Sequence, residues 1–221
     1  MEEKLLNDSI LSQVRDVFQQ LTAPVEVLFF GQETDCEYCQ QTQQLVEEVV
    51  EVSDKLSLKS YDLQRDAELA RQYHVDKAPT LILAGKNGSQ PIDYGVRFAG
   101  IPAGHEFSSL IHGLVLVSNN DSGLNAQTRE LLGKLKKPVH MQVFVTPNCP
   151  YCPQAVVLAH QMALESPLVQ AEMVEASEFP ELADRFNVSG VPQTTINAGA
   201  GTVVGAYPEE GLLAEILRAT S

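Results

Sequence analysis

Four cysteines occur in the 221-residue sequence, and they form two pairs, Cys36-Glu37-Tyr38-Cys39 and Cys149-Pro150-Tyr151-Cys152. Thiols separated by two residues can close into a disulfide and be reopened by an incoming thiolate, so the spacing predicts reversible dithiol chemistry at two places. The thiolate is the attacking species. A free cysteine of pKa near 8.5 is only about 3% ionised at pH 7, and the unpaired N–H groups and macrodipole of a helix N-terminus favour the anion. The leading cysteines, Cys36 and Cys149, are therefore expected to attack from the exposed start of a helix. Cys39 and Cys152, one turn inward, are expected to resolve the mixed disulfide. Pro150 and Pro153 suit a first helical turn, whose N–H groups need no intrahelical acceptor. Tyr38, Pro150 and Tyr151 are the side chains expected to shape the two sites. The four thiols could instead ligate one tetrahedral zinc, but such pairs usually lie closer in sequence, so neither a metal site nor any other cofactor is expected.

The elements that must hold these cysteines follow from hydrophobic periodicity. Leu5, Leu6, Ile10, Leu11, Val14, Val17, Phe18 and Leu21 predict a helix over 3–21, stopped at Pro24. Val25–Phe30 reads as a buried strand, residues 40–52 as a helix, Leu56–Asp62 as a strand and 67–73 as a short helix. Thr80–Ala84 and Tyr94–Phe98 predict a hairpin about Gly85-Lys86-Asn87-Gly88, and 105–117 a closing helix. Ser118-Asn119-Asn120-Asp121-Ser122-Gly123 is polar and aperiodic, and divides the chain into domains 1–118 and 123–221.

Beyond that boundary the order repeats: helix (124–135), strand into Val145, C-x-x-C, helix (154–164), strand (169–175), short helix (180–186), a hairpin about 198–201, and a final helix (210–219). Cys36 and Cys149 lie 113 positions apart, as do Pro79 and Pro192, so each proline follows its leading cysteine by 43 residues. Upstream of the cysteines the offset is 114, pairing Pro24 with Pro138 and Phe30 with Phe144. Two copies of one unit follow from this register.

A formal net charge of -14 argues against nucleic acid or an anionic membrane as partner. No apolar run is long enough to span a bilayer, and the acidic start Met1-Glu2-Glu3 is unlike a secretory leader, so a cytoplasmic location is expected. In that setting paired cysteines read as redox or metal sites and not as structural cross-links.

With a C-x-x-C at each strand–helix junction, a proline 43 residues on, and a hairpin and helix beyond, each half resembles a thioredoxin fold. Cys149-Pro150-Tyr151-Cys152 is similar to the glutaredoxin active-site tetrapeptide. The whole chain resembles the protein disulfide oxidoreductase, or glutaredoxin-like protein, family, in which two thioredoxin-fold units each carry a C-x-x-C. The likeness extends to Phe144-Val145-Thr146-Pro147 and Pro102-Ala103-Gly104-His105-Glu106-Phe107. It implies an α/β chain of two tandem thioredoxin-like domains, each a mixed central sheet flanked by helices. It implies a thiol–disulfide oxidoreductase that reduces, forms or isomerises disulfides of protein substrates and exchanges electrons with a thioredoxin-reductase-like flavoprotein. It also implies cis geometry at Pro79 and Pro192, with Ala78-Pro79 and Val191-Pro192 offering backbone to a substrate strand. Two alternatives accompany this reading: an electron relay to a peroxidase, and a non-catalytic tandem thioredoxin scaffold that holds client proteins.

Thioredoxins keep a buried acid six residues before the first cysteine, where this chain has Val143 and, by the upstream offset, Phe29. Glu26 and His140 occupy matching strand positions and are expected to be solvated strand-face residues rather than proton relays. His74, His105, His112 and His160 show no metal spacing and read as surface or satisfied core residues. The two sites should differ in acidity. Glu33, Asp35 and Glu37 crowd Cys36 with negative charge, whereas no acid neighbours Cys149 in sequence. Thiolate-absorbance titration of the Cys36→Ser/Cys39→Ser and Cys149→Ser/Cys152→Ser variants is expected to place the pKa of Cys149 below that of Cys36, and the second pair as the more oxidising. The reverse order overturns the assignment.

Overall fold

The computed structural model describes residues 4–88 and 90–221. Met1, Glu2 and Glu3, including the first residue of the predicted opening helix, lie outside the described residues, as does Ser89. Helix α1 spans Asp8–Val17, a later start than periodicity suggests. Its beginning is set by Asn7, whose Oδ1 accepts from the Ile10 N–H at 2.9 Å. The Leu5 and Leu6 N–H groups donate instead to the Glu48 carboxylate, at 2.9 and 2.8 Å.

The first half continues with β1 (Val25–Gly31), α2 (Cys39–Val50), β2 (Leu56–Asp62), α3 (Ala67–Gln72), β3 (Thr80–Asn87), β4 (Gln90–Ala99) and α4 (Glu106–Asn119). The second half has α5 (Ala126–Leu132), β5 (Val139–Val145), α6 (Cys152–Glu165), β6 (Val169–Glu175), α7 (Pro180–Arg185), β7 (Gln193–Ile196), β8 (Gly201–Val204) and α8 (Glu209–Ala219). The order matches the repeat in the sequence. The first hairpin has longer arms than predicted, because Gly85 pairs within the sheet, opposite Val25 and Ile92. Helix α4 continues through Ser118, which is buried rather than part of a polar linker. The Ser118 hydroxyl donates to the Ala23 carbonyl at 2.6 Å and accepts from the Thr22 and Ala23 N–H groups. The helix ends at left-handed Asn120, so the crossing between halves starts there.

Each half contributes a mixed four-stranded sheet as expected, β2-β1-β3-β4 and β6-β5-β7-β8, and the two join edge to edge into one eight-stranded mixed sheet. The junction is a parallel pairing of β4 with β6, from Val96 opposite Ala171 to Ala99 opposite Val174. Both segments are buried, Arg97 and Glu172 included, so backbone groups along this edge of β4 find their partners on β6 rather than in water. One face of the sheet carries a hydrophobic core that runs unbroken from Val25, Val27 and Phe29 through Phe98 to Met141 and Val143. The other face holds two smaller clusters, one with Ala70 of α3 and one with Ala183 of α7.

Three further contacts fix the seam. His160 of α6 is buried against the edge of Phe98, 4.9 Å between centroids, with Nε2 3.0 Å from the Arg97 carbonyl. Burial lowers its pKa to about 4, so the ring is neutral near pH 7 and Nε2–H donates to that carbonyl. Lys77 reaches Glu172 of β6 at 3.0 Å. Gly95 has φ +76°, and a Cβ there would sit 2.5 Å from the Val169 carbonyl oxygen. Gly95→Ala combines an unfavourable backbone conformation with a backbone collision and is expected to cost at least about 2 kcal/mol. Gly190 faces open space without positive φ, and Gly190→Ala is expected to change stability by less than about 0.5 kcal/mol. Urea unfolding midpoints of the two variants check the contrast, and equal effects would contradict it.

Candidate active site

Strands β1, β4, β6 and β5 all run the same way, because β3 is antiparallel to both β1 and β4, β6 is parallel to β4, and β5 is parallel to β6. The C-terminal ends of β1 and β5 therefore meet the same end of the sheet. α2 and α6 follow these ends and both pack into the continuous core, so the two C-x-x-C segments share one end and one face. Helix α2 begins at Cys39 and α6 at Cys152, leaving the leading cysteines in the preceding turns. Each pair closes on itself: Cys36 with Cys39 and Cys149 with Cys152, at Cα separations of 5.5 Å.

The leading cysteines differ in access. Both were expected at exposed helix starts, but Cys36 is half-buried and Cys149 only 8% exposed. Instead, Tyr151 stands out from the second site, 70% exposed. Cys152 is fully buried, and the Sγ of Cys39 accepts from the Gln32 N–H at 3.3 Å.

The Ala78–Pro79 and Val191–Pro192 bonds are both cis. Thr80, after Pro79, pairs with Phe30 near the end of β1, and Gln193, after Pro192, pairs with Phe144 near the end of β5. Both proline loops therefore lie at the cysteine end of the sheet. Each is held the same way: the Pro79 carbonyl accepts from the Gly100 N–H at 2.9 Å, and the Pro192 carbonyl from the Gly205 N–H at 2.7 Å. Ala78 and Val191 border the continuous core.

Glu26 and His140 have a different place from the one expected. Glu26 is 1% exposed and ion-paired with Lys59 at 2.9 Å and Lys86 at 3.4 Å. His140 is half-buried, with Nε2 3.9 Å from Glu172, and burial lowers its pKa. Neither is freely solvated. Both lie near the starts of their strands, roughly 16 Å of extended chain from the cysteine end, so they cannot relay protons to the thiols.

The acids that do lie at this end escaped sequence reasoning. Glu106 opens α4 and is 1% exposed. Its Oε2 accepts from the Ser109 hydroxyl at 2.6 Å, and Oε1 has no partner among the described residues. Burial pushes its carboxyl up to about 7, against the lowering effect of Ser109. The adjacent His105 N–H donates to the Pro147 carbonyl at 2.9 Å, docking this turn onto the approach to Cys149. Gly104, at φ +59°, allows the approach, since any Cβ would collide with the same carbonyl. Glu106 lies within a segment notable in the sequence, but its burial has no local signature. Glu175 and Glu178 reach from the β6–α7 turn toward the first site; only the sheet junction brings them there. Among the described residues, no group of three or more His, Cys, Asp or Glu side chains is arranged to hold a metal ion. No helix among them is long and apolar enough to cross a membrane.

Two redox-type disulfides at strand–helix junctions, each beside a cis-proline loop, define a tandem thioredoxin-fold dithiol protein. A thioredoxin domain model matches residues 139–218. A protein disulfide oxidoreductase from Aeropyrum pernix superposes with a TM-score of 0.88 at 34% identity, covering 98% of this chain and 95% of that one. The chain belongs to the protein disulfide oxidoreductase family. The alkylhydroperoxide reductase protein AhpF of Enterococcus faecalis also superposes, with a TM-score of 0.87 at 27% identity, covering 96% of this chain and 100% of that one. Its counterpart in the alkyl hydroperoxide reductase of Pseudomonas aeruginosa is 26% identical over 212 residues, 96% of this chain but 37% of that protein's length. This chain thus spans little more than a third of that relative.

The raised Glu106 carboxyl makes stability depend on pH. Below about 4.5 it is protonated folded or unfolded; between there and about 7 only the unfolded chain ionises, so stability falls as pH rises. Above that window the full cost, on the order of 3 kcal/mol, is present. Glu106→Gln removes this titration and is expected to reduce the slope of the urea stability curve across this window, leaving the part due to Glu178, whose carboxyl is also pushed up to about 7. Parallel curves for variant and parent would sink the assignment.

Proposed function

We propose that the protein is a dithiol–disulfide oxidoreductase acting on protein disulfides through mixed disulfides, with Cys36/Cys39 and Cys149/Cys152 as its redox pairs. The observation that carries this reading is the closure of both pairs as separate disulfides on one face, at one end, of a single sheet. In the reducing direction a leading thiolate attacks a substrate disulfide, forming a mixed disulfide and releasing one substrate thiolate, which takes up a proton. The resolving thiol gives up its proton and attacks the leading sulfur, releasing the second substrate thiol. The enzyme pair ends as a disulfide and the substrate as a dithiol, with two electrons transferred. The Gln32 N–H supports an anionic Cys39, and Glu106 is a candidate store for the proton released beside the second pair. Backbone at Ala78-Pro79 and Val191-Pro192 receives the substrate strand, while Tyr38, Pro150 and Tyr151 shape the approach.

A second reading follows from the likeness to AhpF: the chain relays electrons from a thioredoxin-reductase-like flavoprotein toward a peroxidase. Both readings use the same exchange steps and suit the cytoplasm. The protein is expected to accelerate insulin reduction by dithiothreitol, with Cys149→Ser lowering the acceleration at least about tenfold. Cys152→Ser is expected to accumulate covalent adducts with substrate proteins. Absence of acceleration by the intact protein points to a client-holding scaffold, and failure to trap adducts counts against the mixed-disulfide route.

A further inference from the structure

A cavity of about 380 Å³ lies between the two disulfide sites. Tyr38 of the first C-x-x-C and Pro147, two residues before Cys149, line it, together with Ile101, Ala103, Glu175 and Glu178. No basic side chain lines it among the described residues. Glu175 is 4% exposed; its Oε2 accepts from the Glu178 N–H at 2.8 Å, while Oε1 has no partner among the described residues. Glu178 Oε1 accepts from the Ile101 N–H at 2.6 Å. Gly100 leaves room for this approach, because a Cβ there would meet Glu175 Cβ at 2.7 Å and Glu178 Oε1 at 2.8 Å.

Among the described residues no basic side chain is ion-paired with Glu175 or Glu178. Burial first, then Glu175 and Glu37, push the Glu178 carboxyl up to about 7, while the Ile101 N–H only partly opposes them. Glu37, then burial, and then Glu178 and Glu175 raise the Tyr38 phenol. A buried carboxyl oxygen without a donor is costly, and one in the wall of a cavity beside a redox site suits a hydrogen-bond donor brought from outside.

We propose that this cavity receives the lysine or arginine side chain of a polypeptide exchanging disulfides at Cys36/Cys39, making the first pair selective for cysteines flanked by a basic residue. The alkyl stem lies along Ile101, Ala103 and Pro147, the charged head meets Glu178 and the free oxygen of Glu175, and the Tyr38 ring adds a cation–π face. A bare metal ion fits less well, since these side chains form no metal-holding group among the described residues. The inference rests on the exchange reading above and adds a substrate class to it.

The test uses the full-length Cys149→Ser/Cys152→Ser protein with its first pair reduced, in single turnover against two peptide disulfides identical except for Arg or Gln beside the cysteine. The Arg peptide is expected to react about tenfold faster, the scale of one charge-assisted contact. Glu178→Gln and Glu175→Gln keep their acceptor oxygens toward the Ile101 and Glu178 N–H groups but lose the charge, and are expected to bring the ratio near one. Glu178→Lys is expected to reverse the preference toward a Glu-flanked peptide, so the inference stays testable if Glu175→Gln does not fold. Equal Arg and Gln rates in the parent overturn the selectivity and leave exchange standing. Reaction with neither peptide, both thiols being titratable, overturns exchange at the first pair and the selectivity with it.

Discussion

The parallel pairing of β4 with β6 is the constraint on which the other long-range relations depend. It involves a short run of residues, but the run is buried and flanked by the neutral His160 held to Arg97 and by Lys77 held to Glu172. A tether of a few residues after α4 could not fix the mutual orientation of two units; a shared sheet can. Because the pairing is parallel, both cysteine-bearing strands point the same way, and each site is completed by the other half. His105 of the first half holds Pro147 before the second site, and Glu178 of the second half holds Ile101 beside the first.

That exchange makes the two sites unequal despite their common plan. The first has a half-buried leading cysteine, acids in its own tetrapeptide and approach, and two more acids from the opposite half. The second has a covered leading cysteine and an exposed tyrosine, with a single buried carboxyl on the adjoining α4. Surface and charge, rather than the cysteine spacing, distinguish them.

Much of this was legible in the residues. The cysteine spacing, the recurring offset of 113 and the alternation of apolar runs identify two copies of a redox unit, because local periodicity carries that information. The sheet junction was not legible, since Val96–Ala99 and Ala171–Val174 read as buried strands whichever neighbour they take. Ser118 looked like linker because its value lies in a hydrogen bond to Ala23, far away in sequence. Glu26 looked solvated because its lysines come from β2 and β3. Glu106 and Glu175 were missed for the same reason: only tertiary packing buries them.

The strand order has a further consequence, for colloidal behaviour. Two separate four-stranded units would offer four open edges to neighbouring molecules, whereas the joined sheet has only β2 and β8 at its margins. β8 is four residues long, and the Thr202 N–H is taken by Glu215 of α8 at 2.9 Å. β2 carries Lys59, whose charge resists the docking of another strand. Fusion of the repeats thus removes half of the surfaces through which sheets polymerise, and the two that remain are blunted.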